Sequence, residues 1–246
     1  MRSLSAILMR ELRAYFFSPL AYVVAALLLL VNGAVFWLIV SYLNDPRAGI
    51  GAPLELFFGQ TVFFWLVLLF VAPVVTMRLL SEERRSGTIE VLMTAPVSEG
   101  KVVVGKYLAA LAFYLFLWLP TVVYAVILSR YSEVDWGPVA SGYVGIAGIG
   151  ALLLAAGVLA SSLSRSQLVA AVLTFAIAGP LFAIGFLEFL FTGDAVKEAF
   201  TYLSLPRHME DFSRGIVDTR RLVYYVSASA LFLFLAARAL AAKKWR

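Results

Sequence analysis

Six long stretches without a charged side chain constrain this sequence more than any other feature. A helix needs about 20 residues, at a rise of 1.5 Å per residue, to cross the hydrocarbon core of a bilayer. Five stretches exceed that length. The sixth reaches it if Arg238 extends its charged end to the interface and the helix continues to residue 242. The stretches are 14–44, 56–77, 107–129, 136–164, 166–187 and 222–237.

The composition excludes a water-soluble fold. Apolar residues make up 62% of the 246 positions and charged residues 14%, whereas soluble domains have about 45–50% and about 25%. Lipid must therefore solvate much of this surface. We predict an all-α polytopic membrane protein with one transmembrane domain over residues 1–246. The predicted spans are approximately 20–42, 57–79, 101–129, 138–163, 167–190 and 222–242.

The distribution of charge predicts the orientation. With the N-terminus inside, 13 of the 20 Lys and Arg residues lie on the cytoplasmic side and seven on the outer side. The positive-inside rule then places both termini in the cytoplasm. This distribution explains the net charge of +5 without nucleic acid as a partner. No cleavable signal peptide is expected, because the first apolar run is much longer than a signal core.

An amphipathic segment precedes the first span. At 100° per residue, one face carries Leu4, Leu8, Leu12 and Tyr15, and the other carries Arg2, Arg10 and Arg13. This pattern predicts a helix over 1–18 that lies in the cytoplasmic interface, with Pro19 marking the turn into the membrane. The alternative is a solvated N-terminal extension.

Small residues mark the fourth and fifth spans. Ala147, Ala151 and Ala155 recur every four positions among several glycines. Such a face permits close helix packing in lipid, either within the chain or at a dimer seam. In the fifth span, Gly179-Pro180 predicts a kinked or broken outer half.

The segment 192–221 is the longest polar connection. Two short amphipathic helices near the outer surface are expected there, because unstructured loops of about 30 residues are uncommon. It contains His208, the only histidine, for which a structural role is favoured over metal binding because no second histidine exists.

The polar loop 80–98 separates the second and third spans. Its charges Glu82, Glu83, Arg84 and Arg85 either form a solvated face or surround a docking element. Gly87 is expected to break the second-span helix, and Thr88 to cap a new short helix over 88–94. That helix has an apolar stripe of Ile89, Leu92 and Met93, with Glu90 alongside, and ends at Pro96. The stripe predicts docking into a cytoplasmic partner, or else a helix lying on the lipid surface.

The sequence gives little support for nucleotide binding, catalysis or ion-coupled transport by this chain. GKVVVGKY at 100–107 matches GxxxxGK but has Tyr107 in place of the magnesium-binding Ser or Thr and lacks a preceding strand. The absence of cysteine removes thiolate sites, and no set of nucleophile and base is evident. The spans contain essentially no ionisable side chain, which disfavours an ion-coupled transporter. Glu188 lies about 33 Å along a helix from Arg165 and is expected at the outer interface.

RLLSEERRSGTIEVLMTAPVSEGKVVVGKYLA at 78–109 resembles the signature between spans two and three of ABC-2 type exporter permeases. LPRHMEDF followed by RGIVDTR resembles the outer segment of the subfamily that includes the gliding-motility and nitrous-oxide-reductase maturation permeases. The outer residues that carry this likeness, together with Glu188, are Arg207, His208, Asp211, Phe212, Arg214, Gly215, Asp218 and Arg220.

The resemblance implies an ABC-2 exporter-type fold and a permease without its own ATPase domain. Two separate ATP-binding-cassette subunits, with ATP and magnesium, would dock on the coupling helix 88–94. Glu82, Glu83, Arg84 and Glu90 would make polar contacts around it, and the N-terminal helix would be the connecting helix. A second permease, identical or paralogous, would complete a transporter in a prokaryotic inner membrane, in which spans two and five would line the dimer pathway.

Two further functions remain open. A membrane anchor or mechanical transmitter would use the same docking to move an outer-surface or accessory protein through residues 203–221, without transport. An intramembrane enzyme is disfavoured by the missing catalytic set. Export is preferred, and the substrate stays undetermined.

Overall fold

The structure, a computed structural model, describes residues 2–44, 53–88, 98–187 and 194–242. These residues are almost entirely helical and contain no β-strand. Besides the α-helices there are a π-helical turn at Leu56–Gln60 and a 3₁₀ turn at Leu119–Thr121. The helices are α1 (Arg2–Phe16), α2 (Pro19–Leu43), α3 (Pro53–Glu55), α4 (Val62–Thr76), α5 (Ser81–Arg85), α6 (Glu99–Trp118), α7 (Val122–Leu128), α8 (Trp136–Leu163), α9 (Gln167–Leu187), α10 (Asp194–Leu203), α11 (Leu205–Ser213) and α12 (Thr219–Ala241).

Six helical segments of the described chain are long and apolar enough to cross a membrane. The prediction of an all-α membrane protein with six spanning helices is confirmed. The segments are Pro19–Leu43, Val62–Arg85, Glu99–Leu128, Trp136–Leu163, Gln167–Gly185 and Thr219–Ala241.

The second span starts later than the predicted residue 57. The preceding π-helical turn contains Gly59 with a φ of 93°, a backbone conformation that glycine adopts at little energetic cost. The indole of Trp65 donates to the Gly59 carbonyl at 2.8 Å and holds this turn against the new helix. Thr61 caps that helix with its side-chain oxygen. The break places the start of α4 at Val62.

The same span is also interrupted earlier than predicted. Gly87 follows α5, the last helical segment of this span, with a φ of 73°, as expected of the residue that ends the helix; before that point, the helix is interrupted where α4 ends at Thr76. The cause is Ser161 on α8, whose hydroxyl accepts from the backbone N–H groups of Leu80 and Ser81 at 3.0 and 3.1 Å. It also donates to the Met77 carbonyl at 3.2 Å. One serine thus supplies the bonds that a continuous helix would have made.

Helix α8 forms the centre of the bundle. In its most apolar stretch of 18 residues 78% are buried, against 50% or less in every other span. Its glycines meet large side chains of four other elements: Gly142 packs on Phe58, Gly145 on Met209 and Phe212, Gly148 on Tyr225, and Gly150 on Tyr114. Ala155 is fully buried. These small residues therefore serve packing within the chain.

Helix α9 runs through Gly179 and Pro180 without a break as far as Leu187. Of the two alternatives, a break is therefore wrong over this range, and a kink stays a prediction. Proline removes a single backbone donor, and a long membrane helix tolerates that loss when its neighbours hold it in place.

The segment between α9 and α12 contains the short helices α10 and α11. Helix α11 inserts Met209 and Phe212, both fully buried, against Gly59 and Gly145. At the opposite end of α4, the Tyr15 hydroxyl of α1 donates to the Val75 carbonyl at 2.7 Å. We call these the α11 end and the α1 end of the bundle.

Candidate functional site

Helix α1 packs closely on the first half of α6. A side chain at Gly105 would lie 2.9 Å from Ile7, so this glycine permits the contact. Farther along, the ring of Tyr15 stacks on Phe113 with centroids 4.7 Å apart. The sequence placed Tyr15 on the apolar face of α1. The structure adds Ile7, which is also buried.

Four charged side chains meet where α1, α5 and α6 converge, and we call them the charge cluster: Arg10, Glu11, Glu83 and Lys106. The Lys106 Nζ atom lies 2.9 Å from carboxylate oxygens of both Glu11 and Glu83. The guanidinium of Arg10 reaches the same two oxygens at 2.7 and 2.9 Å. Two cations and two carboxylates give a net charge of zero.

Three members of the charge cluster are largely shielded from solvent, whereas the side chain of Arg10 is 54% exposed. The Lys106 side chain is 1% exposed, and those of Glu11 and Glu83 are 13% and 17% exposed. Burial would raise the pKa of Glu11, but the positive charges of Lys106 and Arg10 outweigh it and hold this pKa below its ordinary value. A buried ammonium is costly unless it is paired, so the cluster members depend on each other.

The residues predicted to couple to an ATPase occupy different environments. Glu83 belongs to the charge cluster, whereas Glu82 is exposed. Arg84 is half-buried, and its two terminal nitrogens have no hydrogen-bond partner within the described part of the chain. Thr88 is exposed, with its hydroxyl 2.8 Å from that of Ser86. The remaining predicted coupling residues, which are Ile89, Glu90, Leu92, Met93 and Pro96, lie outside the described residues.

The GxxxxGK pattern has a structural explanation. Gly105 is the contact point for Ile7, and Lys106 is the cation of the charge cluster. The sequence pattern presented Lys106 as a cytoplasmic charge and as the lysine of a disfavoured GxxxxGK match, and it gave Glu11 no role. The available signal was the position of Glu11, which shares the apolar face of α1 with Ile7 and Tyr15.

At the α11 end, His208 is buried and bonded through both ring nitrogens. Its Nδ1 atom lies 2.9 Å from the Tyr225 hydroxyl, and its Nε2 atom lies 3.0 Å from the Tyr202 carbonyl. A carbonyl can only accept, so Nε2 carries the proton and Nδ1 accepts from Tyr225. Burial, assisted by the charge of Arg221, lowers the pKa of His208 to about 4. His208 is therefore a neutral structural link between α11 and α12.

The other residues singled out at this end form surface ion pairs and turns. Arg214 bonds Glu55 and Glu210 at 3.0 and 2.8 Å. Arg207 also pairs with Glu210, and Asp211 pairs with Arg221. Phe212 is buried, and Gly215 adopts a φ of 87°. Asp218 caps α12 by accepting from the backbone N–H of Arg220, whose side chain is exposed. Glu188 lies outside the described residues. No group of three or more candidate metal ligands occurs in the described ranges.

The fold defines a polytopic helical membrane protein. A family model described as "ABC-2 family transporter protein" matches residues 7–189, which is 183 of the 246 residues. The chain belongs to this family, whose members are membrane components of ATP-binding-cassette transporters and are not themselves catalytic. A search of curated proteins found no match. The family match ends before α10, so the subfamily likeness of the α11 end stays a prediction.

Proposed function

We propose that this chain is the permease subunit of an ATP-binding-cassette exporter in a prokaryotic inner membrane. In this proposal it dimerises with a copy of itself or a close paralogue. It couples ATP hydrolysis by two separate ATPase subunits to transport. Membership of the ABC-2 family supports the permease role and an ATPase partner in general.

The charge cluster is the observation that carries the coupling mechanism. The Glu83–Lys106 ion pair joins the helix before residues 86–98 to the helix after them. Through Glu11, the same lysine holds α1. A load applied to the predicted coupling helix would therefore reach spans two and three and α1 together. A loop with flexible stems would absorb the same load.

The cycle follows from a two-state equilibrium. ATP favours the closed pair of ATPase subunits, and closure would displace the two coupling helices. The permease pair would then change between inward-facing and outward-facing arrangements, because the nucleotide has different affinities for the two states.

The α1 end is the proposed cytoplasmic end. An even number of candidate spans and the excess of Lys and Arg on the side of the termini support a proposal in which both termini are cytoplasmic. The α11 end would then face outward.

The test compares Leu92→Asp with Val91→Asp. Both add one carboxylate to the predicted coupling helix, but Leu92 lies on its apolar stripe and Val91 on the opposite face. We expect Leu92→Asp to lose a co-purified ATP-binding-cassette protein and its ATP-dependent flux in liposomes, with insertion unchanged. Val91→Asp should retain both. Equal retention by the two variants would contradict the coupling mechanism.

The same experiment separates export from mechanical transmission. Co-purification of the ATPase without flux of any tested cargo, together with cross-linking of an outer protein to Arg207 or Arg214, would favour the transmitter.

A further inference from the structure

We propose that the membrane-facing groove between α2 and α4 binds one glycerophospholipid with an anionic headgroup. An acyl chain would lie in the groove and the headgroup phosphate would meet Arg78. This site would exist whether or not the chain couples to an ATPase.

The groove has a volume of about 440 Å³ and an entirely apolar lining. Both of its walls belong to helices that are long and apolar enough to cross a membrane, so the groove lies at the depth of the bilayer. The walls include Val24, Leu27 and Val31 on α2, and Phe63, Leu66 and Phe70 on α4. Leu27 and Phe70 are 57% and 56% exposed, so the groove is open toward the membrane. An empty groove would forfeit dispersion contacts that an acyl chain supplies.

A cation lies beyond the end of the groove nearest α1. Arg78 follows Val74, the last groove residue of α4, by four positions. Its guanidinium donates to the Ser18 hydroxyl at 3.1 Å and lies 4.9 Å from the centroid of the Tyr15 ring. Among the described residues no carboxylate pairs with Arg78.

These contacts leave Arg78 able to bind an anion. A guanidinium has five N–H donors, and the Ser18 hydroxyl engages only one of its nitrogens. Arginine matches the geometry of a phosphate, and basic sites between membrane helices bind acidic lipid headgroups.

Charge complementarity decides the occupant. A second copy of this chain could cover the apolar walls, but only a lipid headgroup places a negative charge at the membrane interface directly beside an acyl chain. The pairing of an apolar groove with an arginine that has no carboxylate partner in the described part of the chain therefore favours an anionic phospholipid.

Native mass spectrometry of the full chain tests this site. The probes are phosphatidylglycerol and phosphatidylcholine with identical acyl chains, added to delipidated protein. We expect one phosphatidylglycerol to bind with about fivefold preference, the discrimination that one interfacial cation provides. Arg78→Gln should abolish the preference, while Arg78→Lys should retain it.

The groove itself is tested with neighbouring valines. Val24→Phe fills the groove and should reduce retention of both lipids, whereas Val23→Phe, at a 53% exposed position outside the lining, should not. Equal binding of the two lipids by the unmodified chain, or equal behaviour of the two valine variants, would overturn the proposal. A change in the monomer–dimer ratio of Val24→Phe without loss of lipid would instead assign the groove to a contact between copies.

Discussion

At the scale of single residues, Lys106 shows how one side chain can organise a helix junction. Its ammonium has almost no access to solvent, and two carboxylates from different helices compensate it. Such a pair contributes little net stability compared with an apolar substitute, but the loss of one partner is strongly destabilising. The cluster therefore enforces one relative arrangement of α1, α5 and α6.

Replacing Lys106 with methionine should destabilise the protein by about 3 kcal/mol, because Glu11 and Glu83 would share only Arg10. Thermal unfolding in detergent would measure the loss. Lys101→Met, at an exposed position five residues earlier on the same helix, is the control and should be neutral. Adding Glu11→Gln to Lys106→Met should restore part of the stability. An unchanged unfolding temperature of Lys106→Met would contradict this role of Lys106.

His208 should make stability depend on pH. Its pKa is about 4 in the folded state and about 6.5 when unfolded, so the unfolded chain binds the proton first as the pH falls. The contribution of His208 to the free energy of unfolding should be fully present above pH 6.5. It should decrease as the pH falls toward 4, by up to about 3 kcal/mol. Denaturant unfolding across this range, compared with His208→Gln, measures the contribution. The difference between the two proteins should vanish at low pH, and parallel curves would exclude His208 as the cause.

At the scale of elements, the contact between α1 and α6 depends on a missing side chain. Gly105 allows Ile7 to approach, and the charge cluster lies directly beside this contact. The position of α1 is thus determined by a glycine, an aliphatic residue and an ion pair in combination.

Gly105→Val should displace α1 from α6, because its Cβ would meet Ile7 at 2.9 Å. We expect limited proteolysis to cut within residues 2–18 at least tenfold faster, since detachment exposes the backbone. Gly100→Val is the matched control on the same helix, where a side chain would meet open space. Similar cleavage rates for the two variants would show that α1 does not rely on this approach.

At the scale of the whole molecule, α1 and spans two and three form one mechanical unit in the proposed cycle. The α11 end packs just as tightly, with Met209 and Phe212 buried against Gly145 on α8. Motion driven from the α1 end would therefore move helices as bodies rather than bend them individually.

A disulfide between α1 and α6 should leave ATP-dependent activity intact, because the two helices would move together. The chain has no cysteine, and an ideal Cβ at position 105 lies 3.3 Å from the Cβ of Ile7, close to disulfide geometry. Ile7→Cys/Gly105→Cys should cross-link under oxidation, as measured by mobility on a gel before and after reduction. The Ile7→Cys variant alone and the reduced double variant control for the substitutions. Cross-linking that abolishes activity, with recovery on reduction, would mean that α1 and α6 move apart.

Membrane character, six spans and an amphipathic α1 could be predicted from the sequence alone. These properties follow from local composition and periodicity, because a lipid-exposed helix must be apolar along about 20 residues. The motif at 78–109 also pointed to the family that the comparison then established.

Three features depend on how the helices pack and could not be predicted: which small residues face which neighbour, where span two breaks, and which side chains pair with Lys106. Gly148 could have served a dimer seam, but Tyr225 occupies its face. Ser161 interrupts a helix 80 positions away in the chain, and Glu11 meets Lys106 across 95 positions. Pairings between distant residues are set by how helices pack, and a pattern read along one helix contains no information about the side chains that arrive from another.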